Sequence, residues 1–274
     1  MAQCGKQSPQ IKPMEHFYSH IDGWSHYLIP LYTHLVPKLP SHCVVVEVGC
    51  WKGRSTAFLA VTLIQHGKVF RLHAVDHWKG CLESYYQNGQ VAREIRDDKV
   101  FDDFKRNLAP VAEHMNIIRS NSVDAAAQFE DNSLDMVTID DDHLYESVIN
   151  SIMAWAPKLK PGGFLCGDDC DKHYPGVERA VREAFGQDWV LLTITDGIGK
   201  HTDPGSWIWT KPENWVPPTI HEMPADLWAP KVPEPEPEPV VEVVPEPEVE
   251  ELPPPAEPAI PVSTLQNNRQ HVIG

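Results

Sequence analysis

Residues 44–56 read VVVEVGCWKGRST, and this stretch decides the fold. The continuous apolar run that contains Glu47 predicts a short strand buried on both faces. Gly49 and Gly53 follow it, and glycine allows the backbone to approach a ligand closely. Apolar residues after Gly53 predict a helix whose N-terminal amides point back at that ligand. The stretch therefore predicts a strand, a ligand-binding turn and a helix.

The same alternation of strands and helices continues along the chain. Later strands are predicted at 69–75, 116–119, 134–139, 164–167, 189–194 and 206–210, and the helices at 91–108, 123–129, 145–159 and 177–185. Ser55 or Thr56 is predicted to cap the helix of the opening stretch. The alternation predicts an α/β fold with a doubly wound, mostly parallel seven-stranded sheet. Only a loop separates the last two strands, which predicts a hairpin and an antiparallel seventh strand.

Segments of different composition flank this domain, which is predicted to span residues 40–215. Residues 1–39 are predicted to be an N-terminal helical segment, with short amphipathic helices interrupted near Pro30. That segment either packs on the main domain or acts as a lid over a substrate pocket. Fifteen of the 26 prolines follow Val216, interleaved with glutamates, so residues 216–274 are predicted to form a disordered tail. Its last residues, STLQNNRQHVIG, are a candidate docking peptide for another protein.

Charge and cysteine usage exclude several classes of protein. The formal net charge is −16, and the tail contributes eleven acidic residues against Lys231 and Arg269. Neither the domain nor the tail carries the stripe of basic residues that binding to nucleic-acid phosphates requires. The six cysteines form no CxxC pair, which favours a reducing cytoplasm, and no apolar run is long enough to span a membrane. A homo-oligomer remains open.

An aspartate at the end of the second strand identifies the type of ligand. Asp76 follows Gly53 by 23 residues, where a carboxylate can accept hydrogen bonds from ribose hydroxyls. The opening motif is ExGxxxG rather than the GxGxxG of dinucleotide-binding proteins. The acid within the strand, Glu47, would repel a pyrophosphate but suits a cofactor with an ammonium and a sulfonium. S-adenosylmethionine is therefore favoured over NAD.

Five sequence blocks resemble class I methyltransferases of methyltransferase family 24, a family near the macrocin-type sugar O-methyltransferases. The blocks are EVGCWKGRST, AVDHWKG, DNSLDMVTIDDDHLYESV, KLKPGGFLCGDDC and YPGVERAVREAF. The resemblance covers about residues 20–211. It implies the following cofactor contacts: Glu47, Gly49 and Gly53 at the methionine end, Asp76 at the ribose, Asn121 and Ser122 at the adenine, and additionally Trp51 and Asp140.

Five aspartates follow the fourth and fifth strands, whose carboxyl ends meet at the ligand crevice. Macrocin-type and catechol-type methyltransferases hold a divalent cation with an acid after the fourth strand and a pair after the fifth. The resemblance places Asp140, Asp168 and Asp169 at these positions, with Mg²⁺ or Mn²⁺ as the ion. Two other interpretations stay open: the acids cap helices, or Cys166, Cys170 and His173 bind zinc.

A base is needed if the methyl acceptor is a hydroxyl. His143 and Asp142 follow the fourth strand and are the candidates; His143 could instead cap a helix and pack on Tyr145. The sequence thus predicts methylation of a small hydroxylated acceptor such as a sugar. Two alternatives remain: a metal-independent N- or O-methyltransferase, and a non-catalytic cofactor-binding scaffold whose tail recruits a partner.

Overall fold

A seven-stranded sheet forms the centre of the computed structural model, which describes residues 14–81, 84–192 and 205–218. The strands are β1 His42–Val48, β2 Val69–Asp76, β3 Met115–Arg119, β4 Leu134–Ile139, β5 Leu159–Gly167, β6 Trp189–Leu192 and β7 Ser206–Thr210. Their order is β3-β2-β1-β4-β5-β7-β6. All neighbouring strands from β3 to β5 are parallel, and β7 is antiparallel to both β5 and β6. The doubly wound sheet and its antiparallel seventh strand are confirmed.

Helices cover both faces of this sheet. They are α1 Leu28–Leu35, α2 Arg54–Gln65, α3 Ser84–Gln87, α4 Gly89–Arg96, α5 Lys99–Asn107, α6 Ser122–Ala126, α7 Tyr145–Trp155 and α8 Pro175–Phe185. Apolar side chains of α1, α2 and α5 share one core with β1 and β2. Helices α7 and α8 pack against each other near β4 and β6, respectively. The central strand β4 is buried at every position, including its polar residues Asp135 and Thr138.

Helix α2 begins differently from the prediction. Gly53 occupies the N-cap position with φ +89°, and no side chain caps the helix. The predicted caps, Ser55 and Thr56, lie within the helix and are buried. Glycine adopts this left-handed conformation without strain, so it ends the turn and starts the helix by itself.

The predicted helix at 91–108 is wrong as a single element. It is divided into α4 and α5, because Asp98 adopts a left-handed conformation with φ +58°. The side chain of Arg119 donates hydrogen bonds to the Asp98 carboxylate and holds this corner. The separate helix α3 precedes the pair, so three short helices connect β2 to β3.

Three smaller boundaries also differ. Strand β5 begins at Leu159, five residues before the predicted start at 164, and pairs with β4 through a register shift between Leu134 and Met136. Pro30 lies in the first turn of α1, where proline is tolerated, and does not interrupt the helix. The end of the predicted sixth strand and residues 219–274 of the predicted tail lie outside the described residues. No helix in the described ranges has the length and apolar character needed to cross a membrane.

Candidate active site

The turn after β1 lies directly against the end of β4. Gly49 has φ +88°, and a Cβ atom there would lie 1.9 Å from the carbonyl oxygen of Asp140. The amide of Gly49 donates to the Val75 carbonyl, and the amide of Asp140 donates to the Val48 carbonyl. Only glycine permits this close approach, which brings the ends of β1, β2 and β4 together around one crevice.

Asp76 holds the same turn from the end of β2. Its Oδ2 accepts hydrogen bonds from the amides of Cys50 at 3.0 Å and Trp51 at 2.9 Å, and its Oδ1 accepts from the amide of Trp78 at 2.6 Å. Burial raises the pKa of Asp76, and the bonds from Trp78 and Trp51 oppose this rise. A carboxylate oxygen has two lone pairs, so Asp76 can accept further hydrogen bonds at the crevice.

Glu47 lies behind the turn and is fully buried. The hydroxyl of Tyr32 in α1 donates to its Oε1 at 2.9 Å. Burial raises the pKa of Glu47, and the hydroxyls of Thr56, Ser55 and Tyr32 oppose the rise. Glu47 therefore joins the Gly49 turn to the N-terminal helix.

The aspartates after β4 and β5 are crowded. Burial raises the pKa of Asp140 well above its usual range, and Asp168 and Asp169 raise it further by charge repulsion. Burial and the neighbouring Asp169 also raise the pKa of Asp168. For Asp141, burial and repulsion by Asp142 and Asp76 raise the pKa to about 7, and its Oδ1 is buried without a hydrogen-bond partner. Such a group of acids attracts positive charge.

His143 links the loops that follow β4 and β5. Its Nε2 lies 2.8 Å from Oδ2 of Asp169, a residue with φ +55°. Its ring centroid lies 4.0 Å from that of Tyr174, and the packing on Tyr145 stays a prediction. Helix α7 begins after Leu144 without a side-chain cap. His143 therefore does not cap it.

The carboxylate of Asp142 is hydrogen-bonded to the residues that follow it in the chain. Its Oδ1 accepts from the amides of His143 at 2.7 Å and Leu144 at 3.0 Å, and its Oδ2 accepts from the Ser147 hydroxyl at 3.0 Å. These bonds fix the position of His143.

A cavity of about 790 Å³ joins these features. Of the predicted site residues, ten line it: Gly49, Trp51, Asp76, Asn121, Ser122, Asp140, Asp142, His143, Asp168 and Asp169. Glu47 and Gly53 lie outside the lining. Asn121 caps α6, and the Ser122 hydroxyl accepts from Ser151 and Trp155.

One group of ligand-type atoms in the described part of the chain is close enough for a metal ion. Asp140, His143 and Asp169 each offer an atom within 4.8 Å of the others. The predicted ligand Asp168 is not in this group, and its Oδ1 accepts the amide of Asp169. Cys166, from the zinc alternative, is buried in β5 with its thiol against Thr138 and the Val137 carbonyl.

Sequence reasoning missed several residues that line the cavity. Trp24 and Tyr27 come from the N-terminal segment, Tyr86 from α3, and Tyr174 from the loop before α8. The aromatic spacing of residues 14–39 predicted a packed helix or a lid over a substrate pocket, but not which of its residues would line the cavity. A single sequence does not show that residues so distant in the chain from the Gly49–Gly53 motif line the same cavity as that motif.

Comparisons with known proteins agree with this fold. Residues 46–170, just under half of the chain, match the family model of methyltransferase family 24, described as a methyltransferase domain. No curated protein matches the sequence. Among similar solved structures is cofactor-bound Rv0187 from MTB, with 16% identity, a TM-score of 0.50 and coverage of 71% of this chain and 85% of that chain.

Two further solved structures are O-methyltransferases. TomG from Streptomyces achromogenes, involved in tomaymycin synthesis and solved with SAM, has 18% identity, a TM-score of 0.47 and coverage of 70% of this chain and 82% of that chain. NovP has 19% identity, a TM-score of 0.47 and coverage of 68% and 78%, respectively. At such identities the likeness concerns the fold alone. The family match assigns residues 46–170 to a methyltransferase domain.

Proposed function

We propose that the chain transfers the methyl group of S-adenosylmethionine to a hydroxyl oxygen of a small acceptor, with the His143–Asp169 pair as the proton acceptor. The observation that supports this most directly is the distance of 2.8 Å between His143 Nε2 and Asp169 Oδ2. Both residues line the cavity that contains the Gly49 turn. A carboxylate that holds an imidazole fixes its orientation and stabilises the imidazolium that forms.

The cofactor would lie across the ends of β1, β2 and β3. Asp76 would accept the ribose hydroxyls, Asn121 and Ser122 would contact the adenine, and the Gly49 turn with Asp140 would hold the methionine end. Trp51 lines the same part of the cavity and would cover the cofactor. Glu47 and Gly53 would act by holding the turn, since neither lines the cavity.

Methyl transfer needs the acceptor oxygen in line with the sulfonium methyl group. The oxygen forms a bond to the methyl carbon, the carbon–sulfur bond breaks, and its electron pair stays on sulfur as a thioether. The hydroxyl proton passes to the His143–Asp169 pair. Asp142 would position His143, because its carboxylate already accepts three hydrogen bonds. A sugar acceptor is the choice that the resemblance to macrocin-type enzymes favours.

A divalent cation is a second mechanism for the same reaction. The ligand atoms of Asp140, His143 and Asp169 fit one, since all lie within 4.8 Å of one another. Bound there, Mg²⁺ or Mn²⁺ would lower the pKa of the acceptor hydroxyl and neutralise the crowded acids. Asp168 would then support the site through its hydrogen bond with the amide of Asp169.

A screen with methyl-labelled S-adenosylmethionine and a panel of hydroxylated small molecules tests the proposal. His143→Gln and Asp169→Asn should each lower kcat on the acceptor found by about 10²-fold or more. Calorimetry with S-adenosylhomocysteine should show unchanged binding to both variants. Wild-type kcat in both variants would contradict the base, and cofactor binding without turnover on any acceptor would favour the scaffold.

Chelation separates the two mechanisms. If a cation takes part, EDTA should abolish turnover and Mg²⁺ or Mn²⁺ should restore it. If the His143–Asp169 pair acts alone, turnover should be unaffected by EDTA and should fall at low pH as the imidazole becomes protonated. Transfer to an amine but to no hydroxyl would replace O-methylation with N-methylation.

A further inference from the structure

The cavity has two ends on opposite sides of β1 and β4. Asp76 ends β2 and Asn121 follows β3, on one side. Asp169 follows β5, on the other side, and the strand order places these ends apart. A cofactor bound at Asp76 therefore leaves the β5 end of the cavity for the methyl acceptor.

Tyr27 forms a wall at the β5 end. The hydroxyl of Ser206, the first residue of β7, donates to the carbonyl of Tyr27 at 3.2 Å. The ring of Tyr27 lies against Gly205, where a Cβ atom would lie 2.3 Å from the ring. Glycine at this position lets the ring sit flat against the backbone, and any side chain would displace it.

Gly205, which contacts the ring of Tyr27, also connects Tyr27 to the proposed base. The amide of Cys170 donates to the carbonyl of Gly205 at 2.8 Å. Cys170 directly follows Asp169, whose carboxylate pairs with His143. A ligand against Tyr27 would therefore have its position set relative to the His143–Asp169 pair.

Lys52, in the turn after β1, and Arg54, the first residue of α2, hold the chain just before Tyr27. The Arg54 guanidinium donates to the carbonyl of Ile21 at 2.9 Å and to the hydroxyl of Ser25 at 3.2 Å. The Lys52 ammonium lies 3.3 Å from the Asp22 carboxylate. The bonds from Arg54 and Lys52 hold the chain before Tyr27, and the bond from Ser206 holds Tyr27 itself. The segment is therefore a fixed wall of the cavity rather than a lid.

The chemistry of the lining indicates what can bind there. Six aspartates line the cavity, and Arg54 is the only lysine or arginine in its described lining. Its Nε and Nη1 already donate to Ser25 and Ile21, so an anionic ligand would meet the carboxylates with little compensating charge from Arg54. The rings of Tyr27 and Tyr174 offer apolar faces, and carboxylates accept hydrogen bonds from hydroxyl groups.

We propose that an acceptor subsite lies between Tyr27 and the His143–Tyr174 pair, and that it takes a hydroxylated ring that carries no negative charge. This rests on the proposed function for the placement of the cofactor. The ring packs its C–H face on the aromatic side chains and presents a hydroxyl to the His143–Asp169 pair. Phosphorylated, nucleotide-linked and carboxylated acceptors are excluded.

Four matched probes test the charge requirement: methyl glucoside, methyl glucosaminide, methyl glucuronide and methyl glucoside 6-phosphate. Saturation-transfer NMR on the full chain loaded with S-adenosylhomocysteine measures binding without turnover. The neutral and amine probes should bind at least ten-fold more tightly than the two anions. Equal or tighter binding of either anion, or no binding of the neutral and amine probes, would overturn the proposal.

Variants of Tyr27 test the wall. Tyr27→Ala should weaken binding of the neutral probe at least five-fold, whereas Tyr27→Phe, which keeps the ring, should bind it as the wild type does. Trp189→Ala, at the far edge strand β6, is the matched aromatic control. All three should bind S-adenosylhomocysteine normally, which shows that they are folded. Undiminished probe binding by Tyr27→Ala would place the subsite elsewhere.

Binding and turnover distinguish this inference from the proposed function. If the neutral probes bind at Tyr27 but no hydroxyl is methylated with labelled cofactor, the proposed O-methylation fails and the subsite stands. If a hydroxyl is methylated but anionic acceptors are preferred, the subsite fails and the O-methylation stands.

Discussion

Asp141 is the residue where burial and charge conflict most clearly. It lines the cavity beside the Gly49 turn, and its Oδ1 is buried without a hydrogen-bond partner. Burial and the neighbouring Asp142 and Asp76 raise its pKa to about 7. The proposed cationic cofactor, bound in this cavity, would reduce this repulsion and so stabilise the folded protein.

The pH dependence of stability follows from that raised pKa. The folded chain holds the Asp141 proton up to about pH 7, whereas the unfolded chain releases it near pH 4. Stability should therefore fall as the pH rises between these values. Asp141→Asn should reduce that fall and raise the melting temperature of the cofactor-free protein at pH 8 by a few degrees. Thermal unfolding from pH 4 to 8 measures this, with exposed Asp188→Asn as control; parallel curves would contradict the assignment.

Asp76 supports the cofactor site in two ways. Its carboxylate would bind the ribose hydroxyls, and it already holds the amides of Cys50 and Trp51 in the turn. Asp76→Ala should therefore weaken binding of S-adenosylhomocysteine by about 1–3 kcal/mol, which calorimetry measures. Asp188→Asn again serves as the matched control. Wild-type affinity of Asp76→Ala would show that the ribose lies elsewhere.

At the scale of elements, α1 is part of the core. Its residues Leu28, Leu31 and Tyr32 are completely buried, and Tyr32 reaches the Glu47 carboxylate in β1. A helix that buries this much apolar surface cannot leave the sheet without a large loss of stability. The residues before it, up to Tyr27, are therefore carried to the cavity by a firmly packed helix.

A pair of substitutions tests this packing. Leu31→Ala should lower the free energy of unfolding by about 2–5 kcal/mol, because it leaves a cavity in the core. Trp24→Ala, four residues before the helix and 59% exposed, should change it by less than about 0.5 kcal/mol. Urea denaturation measures both. A small effect of Leu31→Ala would mean that α1 is a detachable lid.

The sequence predicted those elements whose signal is local. Strand β4 matches the prediction at both ends because its apolar run is bounded by polar residues. The aspartates after β4 and β5 were predicted to meet because parallel strands end at one edge of a sheet. The break between α4 and α5 at Asp98 was not predicted, since it depends on a hydrogen bond from Arg119 in β3. Tyr27 was missed for the same reason, because Gly205 and Ser206 place it.

At the scale of the molecule, negative charge is concentrated in two places. One is the cavity with its six aspartates, and the other is the segment after Val216, which has eleven acidic residues. The aspartates of the cavity would favour the proposed cationic cofactor. The second lies beyond the last described contact of the domain, the packing of Trp215 on Trp209 at 5.5 Å between ring centroids.

Removal of the acidic segment tests whether the domain is complete without it. A chain that ends at Pro218 keeps Trp215 and the whole sheet. Its melting temperature should stay within about two degrees of the full chain, because repeated proline and glutamate bury little apolar surface. Its affinity for S-adenosylhomocysteine should also be unchanged, since every residue of the cavity lining precedes residue 175.

A chain that ends at Glu213 is the comparison: it loses the ring packed on Trp209, so a lower melting temperature is expected. If ending at Pro218 lowers the melting temperature as much as ending at Glu213, residues 219–274 contribute to folding and the predicted tail is wrong.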